Sequence, residues 1–253
     1  MLSRALSAMM TWPAGYGRFV SDEVGSTLDV SKDMISTEPA PFWVMAHRQT
    51  ASRGRRGRAW MMPEGNFAAT LVLRTGDAPA QIALRSFVMS FALLRALFDV
   101  TGRDDAFSLK WPNDVLLNGG KVAGILLESG GAGSVAIGVG VNLIAAPCQD
   151  EVEEGAVRPV SVLAETEAHI TPEAFLAVLA GHYARLEQQF TDFGFEPIRS
   201  GWLAHAARLG EVITARTGRD TRTGTFEDVD QDGQLVLRGA RGVERIAAAD
   251  VYF

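Results

Sequence analysis

"FSLKWPNDVLLNGGKVAGILLESGGAGSVAIGVGVNLI", residues 107–144, decides the fold. It is dense in Val, Ile and Leu, and Asn118-Gly119-Gly120 marks a hairpin because Asn and Gly tolerate positive φ. The pattern predicts three strands, at about 107–117, 121–129 and 134–142. Lys110, Asn113 and Asp114 then lie on the first arm, and Lys121 opens the second. A lysine at a strand start beside a tight turn commonly protects a sheet edge. Gly124 is less ordinary, since glycine weakens a strand and marks the close approach of a ligand or another backbone.

Outward from this block, "QIALRSFVMSFALLRALFDV" (81–100) repeats apolar residues at three and four spacing and reads as a buried helix. "TPEAFLAVLAGHYARLEQQF" (171–190) reads as a second helix, with Thr171 as cap, Pro172 at the first helical position and Glu173 near the positive end of the dipole. From Leu209 onward, short strand-like runs and tight turns suit a small barrel of about 45 residues. The expected architecture is therefore a mixed α/β domain, an α+β sheet with flanking helices, followed by a small C-terminal β-barrel, with a boundary near 205.

At 253 residues and 47% hydrophobic content, the chain can bury a full core. Its formal net charge of -6 argues against broad attraction to nucleic acid or anionic membrane, which needs a wide positive field. The single cysteine, Cys148, cannot form an internal disulfide, so a reducing compartment, the cytoplasm, is expected. "MLSRALSAMMTWPAG" lacks the run and cleavage site of a signal peptide. No segment reads as long and apolar enough to span a bilayer.

Two motif fragments read as decoys. "DVDQDG" (228–233) matches the opening of a calcium loop, but the position needing a bidentate Glu is Gly239, so a hairpin turn is expected. "GVGVNL" (138–143) lacks the full dinucleotide-loop spacing. His47, His169, His182 and His205 show no metal-ligand spacing, no metal site is expected from protein side chains, and no Ser-His-Asp arrangement is identifiable.

"TASRGRRGRAW" (50–60) carries Arg53, Arg55, Arg56 and Arg58 around Gly54 and Gly57. Such a stretch repels itself and has little to bury. It reads either as a solvated basic loop or as a lid that closes on an anion through planar guanidinium forks. In the second reading it is mobile when empty.

Taken together, "RGRRGRAW" (53–60), "KWPNDVLLNGGKVAGILLE" (110–128) and "GVGVNL" closely resemble the biotin protein ligases, over roughly residues 20 to 253. The resemblance implies a biotin/lipoate ligase-like catalytic domain, an SH3-like C-terminal barrel, and bounds of 1–19 for an N-terminal extension, 20–205 for the catalytic domain and 206–253 for the tail. It also implies a two-step reaction. The biotin carboxylate attacks the α-phosphate of ATP, and a carrier lysine then attacks the biotinyl-5′-adenylate.

By the same resemblance, Lys121 matches the catalytic lysine, with Arg55 beside it. Ser26, Thr27, Gln49, Arg53, Gly54, Arg55, Lys121 and Gly124 match the biotin site, with Gln49 on the ureido side. Arg58, Trp60, Lys110, Asn113, Asp114 and Asn142 match the ATP site, with Mg²⁺ near the phosphates. Ser26 and Thr27 also suit a helix cap, and Trp60 also suits a core. The chain departs from the family's pattern at Leu28, where Asn is frequent, and at Ser52, where Gly is frequent. The implied acceptor is the biotin carboxyl carrier domain of acetyl-CoA carboxylase, with other biotin-dependent carboxylases as further candidates. About 25 residues precede Ser26, too few for a helix-turn-helix domain, so no DNA and no membrane partner is expected. Monomer and homodimer both remain open. So do two rivals: a lipoate–protein ligase and a non-catalytic module that binds an adenylate-like anion.

Overall fold

The computed structural model describes residues 11–253 apart from 132, 154 and 219. The strands of the first unit are β1 (Gly17–Val24), β2 (Phe42–Gln49), β3 (Phe67–Arg74), β4 (Phe107–Lys110), β5 (Asp114–Leu117), β6 (Gly120–Gly131) and β7 (Ser134–Val141). They form one sheet in the order β1-β2-β3-β7-β6-β5-β4. β1 and β2 are parallel, and every other neighbouring pair is antiparallel. The helices are α1 (Thr27–Met34), α2 (Pro79–Ala83), α3 (Arg85–Thr101), α4 (Val162–Thr166), α5 (Pro172–Phe193) and α6 (Glu196–Leu203).

Side-chain alternation sorts the two faces of the sheet. Trp43 and Met45 of β2, Phe67, Ala69 and Leu71 of β3, and Val139 and Val141 of β7 join the main core with α3 and α5. Their strand neighbours Phe42, Val44 and Val72 form a second, smaller cluster with Ile35 beyond α1. Gly138 and Gly140 alternate with those core valines and so lie on the second face, where their missing side chains make room for Leu28 and Trp60. The "GVGV" run, unconvincing as a dinucleotide loop, is a strand whose glycines let large side chains from other elements lie close to the sheet.

Thr171 caps α5, its side chain accepting from the Ala174 N–H, with Pro172 in the first turn, as the sequence predicts. Two expectations change. The first arm of the 107–144 block is two strands, because Pro112 has no N–H to continue the ladder and the chain turns at 111–113. Asn113 therefore sits in a turn, not on a strand. Residues 79–101 do meet the length and composition of a membrane span, with mean hydropathy 1.4. Here the segment is the central core helix, with Ala92, Leu93 and Leu94 fully buried. The C-terminal unit, β8 (Val212–Arg216), β9 (Thr221–Val229), β10 (Leu235–Gly239), β11 (Gly242–Ile246) and β12 (Asp250–Tyr252), is an antiparallel sheet in the order β11-β10-β9-β8-β12. Among the described residues its edge strands β11 and β12 do not pair, so the barrel is not closed by a ladder.

"DVDQDG" is the β9–β10 turn, where the Asp230 carboxylate accepts the N–H groups of Asp232 and Gln234. This turn docks on the first unit. Trp111, buried, donates its indole N–H to the Gly233 carbonyl at 3.0 Å. The signal-peptide question falls largely on residues 1–10, outside the described residues.

Candidate active site

A cavity of about 520 Å³ lies over this glycine-bearing face of the sheet. Its floor includes Gly138, Gly140 and Gly124, and Gly124 faces Gly140 across β6 and β7. Every biotin-site and ATP-site residue implied by the resemblance lines this one cavity: Ser26, Thr27, Gln49, Arg53, Gly54, Arg55, Arg58, Trp60, Lys110, Asn113, Asp114, Lys121, Gly124 and Asn142.

One wall is neutral and hydrogen-bonding. Gln49, the last residue of β2, accepts at Oε1 from the Thr27 N–H (2.7 Å) and the Thr27 hydroxyl (3.1 Å). The Thr70 hydroxyl donates to Thr27 Oγ1 at 2.9 Å, fixing that pair from the sheet. Among the described residues the Gln49 amide donates only to the Met62 thioether, at 3.6 Å, a weak acceptor. Ser26 is the N-cap of α1 by position yet makes no side-chain capping bond. Leu28 is buried, and its side chain covers Gly138, filling space at the cavity floor.

A second wall is cationic. Lys121 Nζ lies 2.7 Å from Asp114 Oδ1, and Lys110 Nζ lies 3.8 Å from Asp114 Oδ2. Burial pushes the Asp114 carboxyl up, but Lys121, Lys110 and Arg55 outweigh it and hold the group below its ordinary range. Lys110 is displaced downward, chiefly because burial penalises its charge more than Asp114 restores it. Burial likewise lowers Arg55, against the pull of Asp250 and Asp114. Arg55 donates to Asn113 Oδ1 and the Ala249 carbonyl, both at 3.3 Å, and the Asn113 amide donates to the Ile125 carbonyl at 2.5 Å. Asn142 is buried, donating to the Val160 carbonyl, which ties β7 to the segment before α4.

Trp60 connects the loop to the floor. Its ring lies against Gly124 and Gly140, and Lys121 Nζ sits 5.6 Å from the ring centroid. Gly124 thus marks a close approach, but of an aromatic ring rather than a backbone.

The arginine stretch is not left to repel itself. Arg53 forks onto Asp29 (2.7 and 2.9 Å) and reaches Glu128 at 3.1 Å, a carboxylate it shares with Lys32. Arg55, Arg56 and Arg58 turn toward Asp250 at the start of β12, and Arg58 also meets Glu153 at 3.0 Å. The turn needs Arg56 at φ 58, ψ 25, a left-handed conformation that costs a non-glycine residue about 1 kcal/mol. Asp29, Glu128, Glu153 and Asp250 are the residues that sequence reasoning missed. Asp250 stands more than 190 positions from the loop in a run of alanines, with no local pattern to flag it.

A cavity that offers neutral hydrogen bonds on one wall and clustered lysines and arginines on the other suits a ligase that activates an acid, because two anions must be brought together beside an uncharged polar group. The chain matches the Biotin/lipoate A/B protein ligase family over residues 17–142 and the Biotin protein ligase C terminal domain over 209–253. It is 54% identical over 215 residues to the biotin–[acetyl-CoA-carboxylase] ligase of Paracoccus denitrificans, covering 83% of this chain and 90% of that protein. It is 30% identical to the bifunctional ligase/repressor BirA of Bacillus subtilis, covering 91% and 72%. Among solved structures, a biotin protein ligase from Aquifex aeolicus in complex with biotin and ATP superposes with TM-score 0.80 at 24% identity over 93% of this chain and 97% of that one. A Leishmania major biotin protein ligase with biotinyl-5-AMP gives 0.66 at 25% identity over 93% and 100%. The chain belongs to the biotin protein ligase family.

Proposed function

We propose that the chain is an ATP-dependent biotin protein ligase that forms biotinyl-5′-AMP and transfers biotin to a lysine of the biotin carboxyl carrier domain of acetyl-CoA carboxylase. The observation that carries this is the pairing, in one cavity, of the Thr27–Gln49 wall with the Lys121–Asp114–Lys110 cluster. A ureido ring needs neutral donors and acceptors, which the first wall has. A carboxylate approaching a triphosphate needs cations held in place before the reaction, which the second wall has.

In this reading a biotin carboxylate oxygen bonds to the α-phosphorus while the bond to pyrophosphate breaks. Lys121, held by Asp114 and set over Trp60, faces both the carboxylate and the α-phosphate. Arg55, fixed by Asn113 and Ala249, stabilises charge that grows on the phosphorus oxygens. Ser26, Thr27, Gln49, Arg53, Gly54 and Gly124 enclose the acid, and Arg58, Trp60, Lys110, Asn113, Asp114 and Asn142 serve the nucleotide. The carrier amine then attacks the acyl carbon, the bond to the phosphate oxygen breaks, AMP leaves, and the amine loses a proton. Residues 20–205, with β1 reaching back to Gly17, act as the catalytic domain, the residues before β1 as an extension and 206–253 as a domain that supplies Asp250 to the loop.

Among the described residues no group of three or more His, Cys, Asp or Glu side chains converges. A Mg²⁺ would therefore be held mainly by phosphate oxygens, with Asp114 as the nearby carboxylate, as that ion commonly is with nucleotides. It would neutralise phosphate charge. The one cysteine, exposed and unpaired, supports a cytoplasmic setting.

The test is intact-mass spectrometry of the carrier domain after incubation with the protein, ATP, Mg²⁺ and either biotin or lipoate. A biotin-sized increment is expected. A lipoate increment alone would make the chain a lipoate ligase, and biotin binding without any increment would make it a binding module.

A further inference from the structure

Three guanidiniums of the loop converge on a single carboxylate that lies at the far end of the chain. Arg56 Nη1 is 2.5 Å and Arg58 Nη2 2.9 Å from Asp250 Oδ2, and Arg55 Nη1 is 3.7 Å from Oδ1. The Asp250 side chain is 13% exposed and lines the cavity. Glu153 adds a second negative charge, to Arg58 alone. Asp114 also pulls on Arg55 but is shared with Lys110 and Lys121, so five positive charges face three negative ones and the cluster is undercompensated. Planar forks around such a deficit match a polyphosphate, whose several oxygens bear more charge than one carboxylate.

We propose that Asp250 is an internal anion of the nucleotide subsite. It holds Arg55, Arg56 and Arg58 while no polyphosphate is present, and the β- and γ-phosphates displace it when the nucleotide binds. Displacement frees β12 from the loop, so nucleotide binding is felt by the C-terminal unit. This rests on the ligase reading, because that reading puts a triphosphate in the cavity.

The sign of the effect separates this role from a merely structural one. A residue that only shapes the loop weakens anion binding when it is replaced, whereas a competing anion strengthens it. Titration calorimetry of inorganic tripolyphosphate on the full chain should show about tenfold tighter binding to Asp250→Asn than to the unsubstituted protein, a factor worth 1.4 kcal/mol. Asp250→Glu, which keeps the charge, should stay within about threefold of the original value. Weaker or unchanged binding in Asp250→Asn overturns the proposal. A second measurement needs no variant: hydrogen exchange of the amides at 250–252 should quicken when tripolyphosphate is added, and an unchanged rate also overturns it. Carrier biotinylation is assayed on the same preparations. If the carrier is modified but neither effect is seen, Asp250 has no such role and the ligase reading stands. If the carrier is not modified, the ligase reading falls, while the tripolyphosphate data still decide the role of Asp250.

Discussion

Gly140→Ala is a small change with a sharp expected consequence. A methyl group at this position would lie 2.6 Å from both Cε2 and Nε1 of Trp60 and 2.9 Å from Cζ2. Ordinary contact begins at 3.4 Å, so the ring must retreat by at least 0.8 Å. Trp60 is only half-buried, so it can swing toward solvent and spare the core the cost of overpacking, about 1–3 kcal/mol. That cost is then borne by the site. Trp60 is tied to the loop through its N–H to the Ser52 carbonyl (3.2 Å) and its own carbonyl to the Ser52 hydroxyl (2.5 Å), and its ring backs Lys121. Steady-state carrier biotinylation should lose about 10- to 100-fold in kcat/KM, equivalent to 1.4 to 2.8 kcal/mol of transition-state stabilisation. The melting temperature should move by no more than about 2 °C, since the core is untouched. Gly124→Ala is the internal control. Its methyl group would meet Trp60 at 3.1 Å, requiring a shift of only 0.3 Å, so a loss under about threefold is expected. Equal effects from the two substitutions, or a large drop in melting temperature with Gly140→Ala, would refute the argument that the glycine floor exists to seat Trp60.

Asp114→Asn leaves Lys110 buried without its counter-charge and should cost about 3 kcal/mol, read as a fall in melting temperature of about 6–12 °C. Because the Asp114 carboxyl is held below its ordinary value of 3.8, its contribution is fully present above that pH and is lost as pH falls through the depressed value. The substitution should therefore flatten the acid limb of a stability profile measured by denaturant titration below about pH 4. Gln49→Ala removes the acceptor for both Thr27 donors and should raise the KM for biotin about tenfold while leaving that for ATP within about twofold. Equal changes in both constants would contradict the division of the cavity into two walls.

The elements whose signals are local were legible in the sequence. α5 begins where Thr171, Pro172 and Glu173 say it should, and the hairpin turns at Asn118 and Gly119, both at positive φ. The two strands after that hairpin emerged within a few residues. The split before it did not, because Pro112 reads as part of an apolar arm until its missing N–H is counted. The glycines of "GVGV" carried more than their spacing suggested. Their meaning lies in alternation with core valines, and it shows only once the sheet's two faces are assigned. The cationic half of the site stood out because its charges cluster along the chain. Its anionic half, Asp29, Glu128, Glu153 and Asp250, comes from distant elements, and no periodicity or spacing joins those positions to the loop. The tail was legible as a run of short strands and turns, but its strand order, β11-β10-β9-β8-β12, was not, because short strands and turns do not specify which edges pair.

Exchange of labelled pyrophosphate into ATP isolates the first chemical step, in which the Lys121 cluster joins a carboxylate to an α-phosphate. Exchange should depend on biotin, should not be supported by lipoate, and should fall at least about 100-fold in Lys121→Ala while biotin still binds. Exchange that persists in Lys121→Ala, or that proceeds without biotin, would contradict that role of the cluster.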